Sequence, residues 1–393
     1  MLKVLRLLKN SKLLLQIIVI SLFQFVLAEA WAGNNKTDGP FVAVIDMNMM
    51  ILPGTQEYLE SAIERASQEG AEALVVKLDT PGGMLTSSQE MIQAIFKSPV
   101  PVIVYVFPSG ASATSAGVFI TVAAHIAAMA PGTSIGAAHP VMGNGKDIEG
   151  DMRKKAENIT VAMVKSVAEQ RGRNVDWVEK AVKESSSLTE KEALKKKVID
   201  IVATDLNDLL KQIKGRKVKV NSSEVVLKDL SKLPRKEYKI SFKQKTINVL
   251  ANPNIAALLW LGATTGLSLE LYHPGAIVPG VVGVICLILA LAVSQIIPIS
   301  MSGVLLMIVG SLLIGAEMYV TSGVLGLGGI IALVLGSIYL VDGSRAPDLA
   351  VAMDFIIPVI IVVVLFMVWV IINGIKTLKR KPETTGIEGM IGQ

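Results

Sequence analysis

Two short stretches hold the residue types that hydrolytic chemistry needs. GASATSAGVFI (110–120) sets Ser112 and Ser115 among small residues, and DTPGGM (79–84) sets Gly82 and Gly83 in a tight turn. Acyl transfer requires a nucleophile, a base, and donors for the developing oxyanion. Either serine could be the nucleophile. A glycine has no Cβ, so its backbone N–H can approach a substrate carbonyl. Ala116, at the start of the helix behind Ser115, offers a second N–H where the helix dipole favours an anion. Read singly, each serine is more simply a cap or a small turn residue.

The base is harder to find. His125, His139 and His273 are scattered without metal-ligand spacing or an evident orienting acid. His125 reads as a packed or edge histidine ten residues into the helix after Ser115. A lysine can act instead when desolvation disfavours its ammonium form. KDIEGDMRKKAENITVAMVKSVAEQRG (146–172) offers Lys146, Lys154, Lys155 and Lys165. On a helix, Lys155 shares a face with Ile159, Ala162 and Ser166, whereas Lys154 lines up with Asn158 and Lys165. That spacing turns Lys155 toward the core and Lys154 toward solvent. The plainer alternative is a snorkelling surface lysine.

The elements that must position these groups alternate. FVAVIDM (41–47), AEALVVKLD (71–79) and VPVIVYVFP (100–108) read as strands; QEYLESAIERASQEG (56–70) and SSQEMIQAIFKS (87–98) read as amphipathic helices. Strand–helix–strand order implies a parallel sheet, and sites in such sheets gather at the carboxyl ends of strands. Both turns lie at such ends and can face each other.

Composition adds a second half. The chain has 393 residues, 51% of them hydrophobic, with mean hydropathy +0.55, and the apolar excess lies in 1–32 and 251–375. Lys3, Arg6, Lys9 and Lys12 precede an apolar run and then Ala28, Ala30 and Ala32, which predicts a signal peptide or N-terminal anchor over 1–32. An α/β domain is expected over 33–208 and a basic linker over 209–250, since 209–247 carry 12 Lys/Arg against 3 Asp/Glu. About five spans follow near 254–272, 277–297, 301–319, 324–341 and 355–373, then a tail over 376–393. Lys376, Lys379, Arg380 and Lys381 place that tail inside, so the α/β domain is expected outside the cytoplasm, at the cell (inner) membrane. The basic stretch reads as a solvated linker, or as a contact for anionic lipid. Glu270 and Glu317 fall in or beside spans, where an acid is costly and often functional. The lone Cys286 excludes a disulfide framework and a thiolate metal cluster.

Several blocks in order carry a resemblance: DTPGGML, GASATSAGVFI, AMAPGTSIGAAHPV (128–141), AENITVAMVKSVAEQRGRN (156–174), SLTEKEALKKKVID (187–200) and LELYHPGAIVPGVVGVICLILAL (269–291). Together they resemble the NfeD family of membrane-bound serine proteases, the stomatin operon partner proteins. The resemblance implies a Clp-protease/crotonase-like ββα superhelix followed by an all-α polytopic membrane domain. It implies a Ser–Lys dyad of Ser115 and Lys155, backbone oxyanion donors at Gly83 and Ala116, and Gly82 and Met84 in the substrate-binding turn. Neither metal nor cofactor is needed and no nucleic acid is expected. A stomatin-like membrane protein is implied as substrate or partner, membrane lipid as a further partner, and a homodimer or larger assembly as the working form. Long members usually continue into a small β-barrel resembling an OB fold, and the sequence here stops in what looks like the linker toward it. A largely non-catalytic scaffold assembling with stomatin-like proteins is the alternative; the retained Ser115, Lys155 and glycine pair favour the enzyme. A crotonase-type acyl-CoA enzyme is disfavoured by the secretion signal.

Overall fold

The computed structural model describes residues 39–141, 150–221, 223–272, 277–320, 323–342, 351–352, 354–362 and 365. The expected signal segment 1–32, the tail 376–393, Lys146, His273 and the end of the fifth expected span lie outside the described residues.

Six strands form one parallel sheet: β1 (Val42–Asn48), β2 (Ala73–Asp79), β3 (Val102–Val106), β5 (Ile126–Met129), β8 (Ile201–Val202) and β11 (Arg235–Tyr238), in the order β11-β1-β2-β3-β5-β8. β1 and β2 pair along their whole length, from Val42 opposite Ala73 to Asn48 opposite Asp79. β3 is apolar at every position because both faces of the sheet are covered. On one face, Ile45, Met47, Leu74 and Leu78 pack with helices α1 (Pro53–Gln68), α2 (Leu85–Lys97) and α3 (Ala116–Ala123). On the other, Val44, Val75, Ile103 and Tyr105 pack with Leu209 and Leu210 of α7 (Leu206–Gln212) and with Leu227 and Leu230. Each large side chain so buried contributes about 1.5–3 kcal/mol. A smaller sheet joins β4 (Ser112–Thr114), β6 (Ser134–Gly136) and β7 (Ser187–Thr189); α6 (Glu190–Lys195) packs on it, and α4 (Gly150–Arg171) packs on α3 and α5 (Val175–Lys183).

Two expectations need correction here. Residues 209–250 are not a linker. They contain the end of α7, the hairpin β9 (Lys217–Val220)–β10 (Ser223–Val226), the sheet strand β11, and helix α8 (Phe242–Leu250). Every second residue of β9 is buried, and Tyr238 of β11 is buried with its hydroxyl donating to Glu69 Oε2 at 2.6 Å. The lysines decorate the outer faces of a folded layer, and counting charge along the chain hides that alternation. Nor does His125 lie within a helix. α3 ends at Ala123, and β5 starts at Ile126 and pairs with β3. An apolar run that a helix and a strand share shows no break in its hydrophobicity.

The apolar half is helical. α9 (Pro253–Tyr272) is, among the described residues, the one helix long and apolar enough to cross a membrane. α10 (Ile277–Val293), α11 (Met301–Val320) and α12 (Val324–Ile338) follow, and 354–362 are helical. They pack as two hairpins, α9 on α10 and α11 on α12, through glycines. A Cβ on Gly266 would lie 2.8 Å from the Gly283 Cα, and one on Gly310 2.8 Å from the Gly329 carbonyl oxygen. Small residues of this kind let membrane helices approach closely. Outward faces carry Val278, Ile288, Leu305 and Leu327, all exposed. Glu317 has a local role: its carboxylate accepts the Gly323 and Gly326 N–H groups at the start of α12.

Candidate active site

The two turns are stitched together by the backbone. Just past the end of β2, Thr80 bridges β4: its N–H donates to the Ser112 carbonyl (2.8 Å), and the Thr114 N–H donates to the Thr80 carbonyl (3.1 Å). Asp79 Oδ1 accepts the Ser112 N–H at 3.0 Å. Ser112 therefore lies in a strand rather than in a loop before the helix.

Ser115 stands where β4 turns into α3, at φ +52° and ψ −115°. That conformation costs a residue with a Cβ on the order of 1–3 kcal/mol and persists only where its surroundings hold it. Here the Ser115 N–H donates to the Gly136 carbonyl at 3.0 Å. Although Ser115 occupies the N-cap position, its hydroxyl makes no capping bond. The simple reading of this serine as a helix cap is thus removed. Ser115 is half-buried, and its neighbour Ala116 opens α3.

Gly82 lies directly against this serine. A Cβ built on it would sit 2.6 Å from the Ser115 Cβ and 3.1 Å from its Oγ, and its φ of +122° suits glycine alone. Its N–H donates to Thr80 Oγ1 at 3.1 Å. Ile51 pairs with the next residue, taking the Met84 N–H on its carbonyl (2.8 Å) and donating its own N–H to the Gly82 carbonyl (2.9 Å). In that parallel bridge the Gly83 N–H points to the opposite side, and among the described residues it has no acceptor. The Ala116 N–H, an orphan of the first helical turn, has none either.

The lysines are arranged otherwise than expected. The buried face of α4 is Thr160, Val161, Val164, Val167 and Ala168. Lys155 is exposed, and so are Ile159, Ala162 and Ser166, the residues sharing its face. The spacing was read correctly as one face, but that face is not the one the core covers. Val161, Val164 and Ala168 form the apolar stripe, and Ile159 lies outside it, half exposed at 50%. Lys154 is also exposed, so burial does not separate it from Lys155. Lys165 is removed as a candidate. Its Nζ donates to Glu179 Oε2 at 2.8 Å, and that bond raises its pKa, the wrong direction for a base. Ser115, Gly82, Gly83, Met84 and Ala116 are brought together; among the described residues no hydrogen bond joins Ser115 to Lys155.

Residues 41–233 match the family model for the NfeD1b N-terminal domain, and residues 254–373 match the NfeD integral membrane domain. The membrane-bound protease PH1510 of Pyrococcus horikoshii is 37% identical over 362 residues, 89% of this chain and 81% of that protein. Membrane protein NfeD1b of Bacillus subtilis is 30% identical over 323 residues, 79% of this chain and 69% of that one. The chain belongs to the NfeD family. Among solved structures, a lysine-to-alanine variant of the membrane-bound stomatin-specific protease 1510-N, in complex with a substrate peptide, is 39% identical. It aligns over 54% of this chain and 98% of its own, with a TM-score of 0.49. This NfeD chain is a membrane-bound protease.

Within the NfeD fold, three residues at the site escape sequence reasoning. Asp79 and Thr80 tie the glycine turn to β4, and Ile51 fixes which glycine N–H stays free. The D-T-P-G-G run signals a turn whose polar side chains bond locally, so Asp79 and Thr80 left a trace. Ile51, some thirty residues upstream, left none. His125 stays outside the chemistry. Its Nδ1 accepts the Val102 N–H at 3.1 Å, and burial, with Arg171 nearby, pushes its pKa down to about 3.

Proposed function

We propose that Ser115 is the nucleophile, Lys155 the base, and the Gly83 and Ala116 N–H groups the oxyanion donors. The observation that carries this reading is the strained, non-capping Ser115 held against Gly82. Ser115 Oγ attacks the peptide carbonyl and its proton passes to neutral Lys155. The tetrahedral oxyanion sits between the two N–H groups. The C–N bond then breaks, the leaving amine takes the proton from Lys155, and water hydrolyses the acyl-enzyme by the same steps.

The substrate we infer is a hydrophobic segment of a stomatin-like membrane protein, the class for which the solved relative is specific. Lys155 lies on an exposed strip with Met152 at 42% and Ile159 at 50% exposure. An apolar substrate segment, or a second copy of the chain, laid on that strip would exclude the water around the lysine, as a lysine base requires. The division into a protease domain, a membrane domain and flanking segments, and the placement of the protease domain outside the cytoplasm with an inward tail, belong to the same proposal. The test is hydrolysis of a hydrophobic peptide by the full chain in lipid. Ser115→Ala and Lys155→Ala should each abolish turnover, and Ser112→Ala and Lys154→Ala should retain it. The exposure of Lys155, with no hydrogen bond to Ser115 among the described residues, favours one second reading, a scaffold with little catalysis. A wild-type chain without turnover selects that scaffold, whereas turnover that survives Ser115→Ala rejects Ser115 as the nucleophile.

A further inference from the structure

The glycine turn is braced by the part of the chain that leads into the membrane. α8 ends at Leu250, and α9 begins three residues later at Pro253. Helix α8 reinforces the start of helix α1. The N-cap position of α1 is Leu52, which has no side-chain acceptor. Asn248 of α8 supplies one: its Oδ1 shares the Thr55 N–H (3.0 Å) with the Leu52 carbonyl (2.9 Å), and its Nδ2 donates to Thr55 Oγ1 at 2.9 Å. Gly54 is what lets α8 seat so closely, since a Cβ there would meet the Gln244 carbonyl oxygen at 2.0 Å. The buried Thr55 hydroxyl passes the contact on, donating to the Met50 carbonyl at 2.8 Å. The next residue, Ile51, holds the Gly82 carbonyl and the Met84 N–H and so aims the Gly83 N–H. On its other side the turn rests on the membrane helices: Met84, 6% exposed, packs with Ala256, Val293 and Ile297.

We propose that Asn248 and Thr55 are positioning residues for the oxyanion turn, through which the membrane-proximal helix α8 sets the turnover rate. This rests on the reading of Gly83 as an oxyanion donor. Losing one such donor costs about 10²–10³ in kcat, and loosening its support should cost roughly tenfold.

The experiment uses the full chain in lipid nanodiscs and a fluorogenic hydrophobic peptide. Asn248→Ala and Thr55→Val should each lower kcat about tenfold and shift KM less than about twofold. Thr55→Ser, which keeps the hydroxyl, should restore kcat. The double variant should be no worse than Asn248→Ala alone, because both remove one relay. Hydrogen exchange at the Met84 N–H should quicken in Asn248→Ala and Thr55→Val and not in Thr55→Ser. Wild-type kcat in Asn248→Ala, additive losses in the double variant, or a loss of kcat with unchanged exchange at Met84 would each overturn the proposal. Ser115→Ala, run beside them, tests the underlying reading separately: if it still turns over, the nucleophile assignment fails whatever the relay does.

Discussion

Gly82→Ala is the sharpest perturbation of this site. The new methyl group would sit 2.6 Å from the Ser115 Cβ, and ordinary carbon contacts begin near about 3.4 Å, so turn and serine must part by the best part of an ångström. The backbone at φ +122° adds strain on the order of 1–3 kcal/mol for any residue with a Cβ. Both effects should move the neighbouring Gly83 N–H, the proposed oxyanion donor, off its aim. Misplacing one preorganised donor costs about 2.7–4 kcal/mol of transition-state stabilisation, or about 10²–10³ in kcat. Gly70→Ala is the control. Its φ of +78° is equally unsuited to alanine, but a Cβ there meets nothing within 4 Å and the turn after α1 is remote from the chemistry. It should lose about 1 kcal/mol or somewhat more of stability and keep its kcat. Steady-state hydrolysis of a fluorogenic peptide by the full chain, with thermal unfolding measured on the same samples, separates the two. A Gly82→Ala variant that unfolds like Gly70→Ala and retains kcat within threefold of wild type refutes the reasoning.

Other outcomes follow from the same geometry. Ile159→Asp, on the exposed strip beside Lys155, should raise KM or weaken self-association while leaving the fold intact, which titration of rate against peptide and sedimentation will show. His125 has a folded-state pKa of about 3 against an ordinary value near 6.5, so the folded state disfavours its proton. The stability it confers is fully present above pH 6.5 and is lost as pH falls toward 3, by about 1.4 kcal/mol per pH unit and about 5 kcal/mol in all. Denaturant midpoints followed by the fluorescence of the buried Trp177 between pH 4 and 7 should flatten in His125→Gln. Glu317→Gln, which keeps an acceptor for the first turn of α12, should melt near wild type, whereas Glu317→Ala should lose roughly 1 kcal/mol in thermal unfolding.

By itself the sequence determined the period of the elements and the chemistry of the turns. Strands at 41–47, 71–79 and 100–108 and helices at 56–70 and 87–98 were legible because apolar spacing changes from continuous runs to a helical repeat at each boundary, and the observed elements lie within a few residues of them. The meeting of D-T-P-G-G with S-A-T-S-A-G was legible too, since strand carboxyl ends in a parallel sheet converge on one edge. Local pattern could not say which faces become covered. The strip through Lys155, Ile159 and Ala162 and the stripe through Val161, Val164 and Ala168 both carry apolar residues at helical spacing, and the packing of α4 on its neighbours covers the second and leaves the first exposed. The charge of 209–247 hid a strand, because β11 is completed by pairing with β1, nearly two hundred residues earlier in the chain. The strain at Ser115, the Gly83 N–H without an acceptor among the described residues and the bonds that Asn248 makes to a distant helix likewise exist only once the chain has closed on itself. Each depends on hydrogen bonds between residues far apart in sequence, and such bonds leave no local period to read.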